Sequence, residues 1–246
     1  AHGKQPREPW TYGAEAEKIA RCYLKLRYRL LPYIYSQAVE SSQTGLPLVR
    51  PMVLAYQEDP TTHAIDLQYM FGDSFLVAPV VHRTGQRRVY LPKGKWLNYW
   101  TKAVVGGRQW LDVEAPLDTL PLWVRAGSII PMGPDMAYVG EKPLDPLTLE
   151  IYHPLGEESF VVHREDQPDI LVRSRRLADR LEVEVRGAPG HVEIILYAVG
   201  VEDAVRGGEP LTIQHHAGGQ AVRFEATAVD VVTFLLRTPG DTRPLL

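Results

Sequence analysis

The chain has 246 residues, 45% of them hydrophobic, enough for one large all-β domain or two ordinary ones. A formal net charge of -3 and a sequence pI near 6.3 argue against nucleic acid or an anionic membrane as partner. The basic cluster Arg173-Ser174-Arg175-Arg176 is interrupted and followed by Asp179, and it reads as a solvated turn. Cys22 is the only cysteine, which excludes an internal disulfide and a thiolate metal site. Its position inside a helical pattern predicts a buried thiol. No apolar run approaches a membrane span and no signal peptide is visible, so a cytoplasmic location is the default expectation.

The first ten residues, AHGKQPREPW, lack an initiator Met and read as the middle of a longer polypeptide. From Ala14 to about Ser42, Ile19, Cys22, Tyr23, Leu26, Leu30 and Ile34 recur at helical steps, with Glu15 and Glu17 placed to suit the macrodipole. Pro32 predicts a kink or a break into two helices, and Gly45-Leu46-Pro47 supplies the stop signals. This is the one long helix expected, and its apolar stripe needs a barrel or a comparable surface to cover it.

After Leu46 the texture changes to short strands and turns. Leu48–Leu54 and Phe75–Val80 are apolar runs with strand character. Arg87–Leu91, then Pro92–Lys95, then Trp96–Trp100 reads as a hairpin. Leu120–Arg125 and Ser128–Pro131 flank a tight turn at Ala126-Gly127, and the spacing suggests a β-sandwich. A loop-like stretch over 133–146 separates it from a second all-β unit, whose strands alternate apolar and polar residues.

Three blocks in order carry a family resemblance. They are His2-Gly3 with Arg7-Glu8-Pro9-Trp10; Leu26–Tyr35 with Gly45-Leu46-Pro47 and Arg50-Pro51; and Asp66–Val80. Together they resemble the closing part of the catalytic barrel of glycoside hydrolase family 31, the α-glucosidases and α-xylosidases. Tyr90-Leu91-Pro92, Trp96, Trp100 and Arg125–Pro131 look like that family's proximal C-terminal sandwich. The distal sandwich is matched loosely, because His163-Arg164-Glu165-Asp166-Gln167 stands where the family often has a Tyr-Glu-Asp-Asp-Gly strand end. The fold class implied is mainly β: an N-terminal remnant of a (β/α)8 barrel followed by two β-sandwich domains. Residues 1–47 would be the last active-site loop and final barrel helix, 48–132 the proximal sandwich, and 133–246 the distal one.

Retaining glycosidases use two carboxyl groups about 5 Å apart. The resemblance places both on earlier barrel strands, and neither family motif occurs here, so no catalytic residue is assigned. His2 matches the family histidine that hydrogen-bonds a sugar hydroxyl, a task suited to imidazole. Arg7 and Glu8 read as an exposed pair that positions the loop. Asp66 and Asp73 read as structural, through buried hydrogen bonding or turn formation, and Asp59 sits in a turn before Pro60. Trp10 offers either a face for a sugar ring or an anchor for the helix start in the core, the second being the expectation; Trp96, Trp100, Trp110 and Trp123 raise the same choice and are expected to pack inside the sandwich. His215-His216 point to opposite faces of a strand and give no metal site.

The resemblance implies hydrolysis of terminal α-linked glucose or xylose by the parent, with no metal or cofactor and with carbohydrate bound through the complete barrel. The isolated chain is expected to be inactive and to self-associate through its helix. The alternative reading is a non-catalytic β-sandwich protein that binds carbohydrate through exposed aromatics.

Overall fold

The computed structural model describes residue 3 and residues 7–237. A 3-10 turn at Pro9–Tyr12 leads into helix α1, Ala14–Arg29, and then helix α2, Leu31–Thr44. The break falls at Leu30, two residues before the proline. Pro32 has no N–H to offer the carbonyl of Tyr28, and its ring would crowd that carbonyl in a continuous helix. A new helix therefore starts with the proline in its first turn, where the missing donor costs nothing. Gly45, at φ +78°, closes α2 by donating its N–H to the carbonyl of Ser41 at 2.9 Å.

Beyond α2 the described chain is β-rich. The first sandwich has a six-stranded sheet, in the order Val49–Pro51, Tyr69–Phe71, Phe75–Val77, Leu122–Arg125, Lys95–Asn98 and Val104–Gly106. Covering one face is a two-stranded ribbon of Gln86–Leu91 and Gln109–Glu114. The second sandwich packs a five-stranded sheet on a six-stranded one. The five are Gln214–His216, Gly219–Glu225, His191–Tyr197, Leu147–Tyr152 and Ile129–Met132. The outer six are Glu157–Val162, Ile170–Arg176, Arg180–Arg186, Val229–Leu236, Val201–Arg206 and Glu209–Pro210.

Three apolar cores explain the strand patterns. Leu76, Trp96 and Trp123 point into a core under the ribbon, with Val89 and Leu91. Their neighbours Phe75, Val77, Leu97, Leu122 and Val124 point the other way, into a middle core shared with Tyr33 of α2 and with Tyr152, Ile195 and Tyr197 of the five-stranded sheet. The third core fills the second sandwich. The two inner sheets are thus buried on both faces, which is why Phe75–Val77 and Leu122–Val124 read as unbroken apolar runs. Outer strands such as Val229–Leu236 alternate because one face meets water.

Two connections differ from the sequence expectation. The hairpin of Arg87–Leu91 with Trp96–Trp100 does not form. Gln86–Leu91 pairs with Gln109–Glu114, while Lys95–Asn98 lies beside Leu122–Arg125 in the other sheet. A hairpin would keep both arms in one sheet, whereas here Val89, Leu91 and Trp96 meet from opposite sides of one core. The corner is held by the Trp96 indole N–H donating to the Pro92 carbonyl at 2.9 Å and by Gly107 N–H donating to Gly94 at 2.7 Å. The second difference is the turn at Ala126-Gly127, which is a crossover between sandwiches. Ile129–Met132 pairs with Leu147–Tyr152, so the loop over 133–146 joins two strands of one sheet. Gly127 N–H donates to the Tyr152 carbonyl at 2.7 Å, tying the crossover to its new sheet.

Candidate functional site

Helix α2 is docked through polar side chains that a helical stripe alone does not announce. The wholly buried Tyr33 donates its hydroxyl to the Phe71 carbonyl at 2.9 Å and accepts the Ser74 N–H at 3.2 Å. Burial drives its ionisation well above the ordinary tyrosine range. A Cβ at Gly72, which has φ +60°, would stand 2.2 Å from the Tyr33 hydroxyl, so glycine is required at this contact. Gln37 accepts the Asp73 N–H at 3.2 Å, and Ser36 accepts the His163 N–H at 2.9 Å. One helix thereby holds both sandwiches.

The stripe of α1 turns toward the same surface. Tyr23 donates its hydroxyl to the Asp118 carbonyl at 2.9 Å and accepts the Leu120 N–H at 2.6 Å, while Leu26, Leu30 and Ile34 join the middle core. Of the barrel or comparable surface that this stripe requires, the structure supplies the second: the proximal sandwich covers it. A second series at helical spacing, Ala20, Leu24, Tyr28, Leu31 and Tyr35, remains half-buried or exposed, with Leu24 at 53%. No residue of α1 is fully buried.

Between α1 and the sandwich lies a cleft of about 620 Å³, with Ile19, Leu26, Tyr99 and Trp100 among its apolar walls and Lys18 and Asp118 on its rim. Cys22 also lines it and is exposed, which overturns the expected buried thiol. In α1 the positions of Ile19, Tyr23 and Leu26 take the sandwich-facing arc, and Cys22 falls at its edge.

His2 lies outside the described residues. In the loop that follows, Arg7 is exposed, as expected, and Glu8 caps the 3-10 turn by accepting Thr11 N–H through its backbone carbonyl at 2.9 Å. Trp10 is 64% exposed, so it does not anchor the helix in this chain's core. Asp73 pairs with the buried guanidinium of Arg50 in a turn, the structural role expected of it. Asp66 is exposed rather than buried, with Arg87 as its charged neighbour. Asp59 caps the short helix Pro60–Ala64 through Thr61 N–H and accepts the Tyr90 hydroxyl at 2.7 Å, which holds its carboxyl below the usual range. Of the four sandwich tryptophans, Trp96 and Trp123 are core residues. Trp100 and Trp110 are exposed by 41% and 42%, which corrects the expectation that they pack inside. Among the described residues no three His, Cys, Asp or Glu side chains converge as metal ligands, and no helix is long and apolar enough to cross a membrane.

Sequence reasoning missed the most unusual polar group. Lys102 enters the middle core and hydrogen-bonds Tyr152, which in turn donates to the buried Glu150. The signal available was Glu150 itself, a charge at the centre of the apolar strand Leu147–Tyr152.

Comparison with known proteins adds to this geometry. The model of the glycosyl hydrolase family 31 C-terminal domain matches residues 45–130, and that of the family's TIM-barrel domain matches residues 1–37. Alpha-glucosidase 2 of Bacillus thermoamyloliquefaciens is 33% identical over 201 residues, covering 81% of this chain and 25% of that protein. An alpha-xylosidase of Saccharolobus solfataricus is 37% identical over 149 residues, or 60% of this chain and 20% of the relative. Among solved structures, a GH31 dextranase of Flavobacterium johnsoniae complexed with isomaltotriose superposes with a TM-score of 0.88 at 29% identity. The match covers 95% of this chain and 34% of that one. The chain spans about a quarter of the length of the first of these relatives.

Proposed function

This chain belongs to glycosyl hydrolase family 31, and we propose that it is the C-terminal part of a retaining α-glycosidase acting on terminal α-linked glucose or xylose. The observation that carries this reading is the order of the two family models: barrel end, then C-terminal domain, joined in one polypeptide at the α2 dock. Within it, α1 and α2 are the last barrel helix. The series from Ala20 to Tyr35 is the face the barrel takes up, and the sandwich-facing stripe fixes the barrel on its support. His2 donates to or accepts from a sugar hydroxyl, and the two catalytic carboxylates belong to preceding strands. The chain itself contributes a rigid base and part of the active-site rim; catalytic side chains of such barrels sit at the C-terminal ends of the strands.

The test uses two polypeptides. The 246-residue chain should not turn over p-nitrophenyl α-glucoside or α-xyloside. The same chain joined to the coding sequence upstream of Ala1 should hydrolyse one of them with retention of configuration, and His2→Ala in that protein should raise KM. Turnover by the chain alone would refute its role as a support. A longer protein inactive on both sugars would refute the α-glycosidase reading.

The exposed Trp100 and Trp110 favour a second reading, carbohydrate binding by the sandwich itself. Saturable quenching of tryptophan fluorescence by isomaltotriose, abolished in Trp100→Ala or Trp110→Ala, would establish it.

A further inference from the structure

Lys102 follows the strand Lys95–Asn98 in the first sandwich, yet its side chain is enclosed largely by the second. Its Nζ lies 4.4 Å from the ring centroid of Tyr99, 4.9 Å from that of Tyr152 and 4.2 Å from that of Tyr197. It donates to the Tyr152 hydroxyl at 2.9 Å, and that hydroxyl donates to Glu150 Oε2 at 2.6 Å. Tyr152 and Tyr197 end two adjacent parallel strands, so their rings stand side by side, 4.8 Å apart.

The backbone is shaped to deliver the side chain. Lys102 adopts φ +61°, unusual for a residue with a Cβ, and its N–H donates to the Asn98 carbonyl at 2.8 Å. From the second sandwich, Gly218 comes so close that a Cβ there would lie 2.7 Å from Lys102 Cγ. Three aromatic faces around one ammonium, with a carboxylate behind them, are the elements by which proteins recognise alkylated amines.

We infer that the structure contains an alkylammonium-binding cage built from Tyr99, Tyr152, Tyr197 and Glu150, that Lys102 is its resident ligand, and that this occupancy latches one sandwich onto the other. The side chain crosses the interface as a tethered guest. Burial works to lower the Lys102 amine below its ordinary range, against the pull of Glu150, while Arg29 adds repulsion. The rings act in the opposite sense to burial, because they attract only the charged form.

The 246-residue chain tests this directly. Lys102→Met keeps the length of the stem and removes the charge; its unfolding midpoint should fall by about 5 °C. Amide exchange should rise at residues 99–103 and 216–219, with the remote strand Arg180–Arg186 unchanged. Lys102→Ala removes Cγ to Nζ, the atoms of n-propylammonium. Titration with n-propylammonium chloride should raise the midpoint of Lys102→Ala saturably, whereas n-propanol and sodium chloride should not. The natural chain, its cage already filled, should show no such rise. Lys102→Met unfolding at or above the natural midpoint would overturn the latch, as would equal effects of n-propylammonium on both proteins or equal rescue by n-propanol. Should Lys102→Ala not fold, the midpoint and exchange pattern of Lys102→Met decide the matter.

Discussion

Replacing Tyr33 with Phe removes one oxygen from the joint between α2 and the first sandwich and leaves its packing in place. That oxygen serves two backbone groups, the Phe71 carbonyl and the Ser74 N–H, in a region closed to water. Neither group gains a replacement partner from the Phe ring. Each stranded bond costs about 1–1.5 kcal/mol, so the substitution should destabilise by about 2–3 kcal/mol. For a chain of this length that corresponds to a fall in the thermal midpoint of roughly 5–10 °C.

A double-mutant cycle separates this mechanism from a general softening. Gly72→Ala places a Cβ 2.2 Å from the Tyr33 hydroxyl, and also 2.6 Å from Gln37 Oε1 at φ +60°. In the Tyr33→Phe background the first overlap disappears with the oxygen, while the backbone strain, the Gln37 contact and a 2.9 Å approach to the ring carbon Cζ of residue 33 remain. The two substitutions together should therefore cost less than their sum, by about 1 kcal/mol or more. Calorimetric unfolding of the four proteins measures the cycle. A Tyr33→Phe midpoint indistinguishable from the natural one, or strictly additive costs, would refute the account of the dock.

Further outcomes follow from other sites. Asp73→Ala leaves the buried Arg50 guanidinium without its carboxylate; because Asp73 itself is partly exposed, the cost should be about 1–2 kcal/mol. Asp66→Ala should stay within about 0.5 kcal/mol of the natural chain, and denaturant titration of both variants compares them. Burial holds Tyr33, Tyr56, Tyr99, Tyr152 and Tyr197 above the ordinary value of 10.0, with Tyr56 pushed up to about 12. From pH 10 upward the unfolded chain loses protons that the folded chain keeps, so stability should fall. The midpoint should thus decline above pH 10; a midpoint that holds or increases there in calorimetry would contradict this reasoning. The exposed Leu24 and Tyr35 should make the isolated chain self-associate, and Leu24→Lys with Tyr35→Lys should release monomers in light scattering. A natural chain already monomeric at high concentration would rule that out.

Much of the architecture was legible because it rests on local rules. Helical spacing from Ile19 to Ile34, the stop at Gly45 and the exclusion of proline from a helix interior specified a helical stretch kinked or broken near Pro32, and the structure shows the break. The alternation in Arg180–Arg186 specified a strand with one wet face. The order of short blocks from His2 to Val80 was enough to indicate a resemblance to the family. What remained illegible depends on partners far away in the chain. Arg87–Leu91 and Trp96–Trp100 have the composition and separation of a hairpin, and only the core formed by Leu76, Trp96 and Trp123 decides that they part into different sheets. The helical stripe announces a buried face without saying what buries it; the hydroxyl of Tyr23, bonded to residues 118 and 120, shows that it is the sandwich. Trp100 and Trp110 carry no local mark that separates them from Trp96 and Trp123. The cage around Lys102 unites residues 99, 102, 150, 152 and 197, whose separations follow no period. Periodicity records which face of an element is apolar. The choice of neighbour is made by tertiary packing, where side chains from distant segments must fill one volume and satisfy one another's polar atoms.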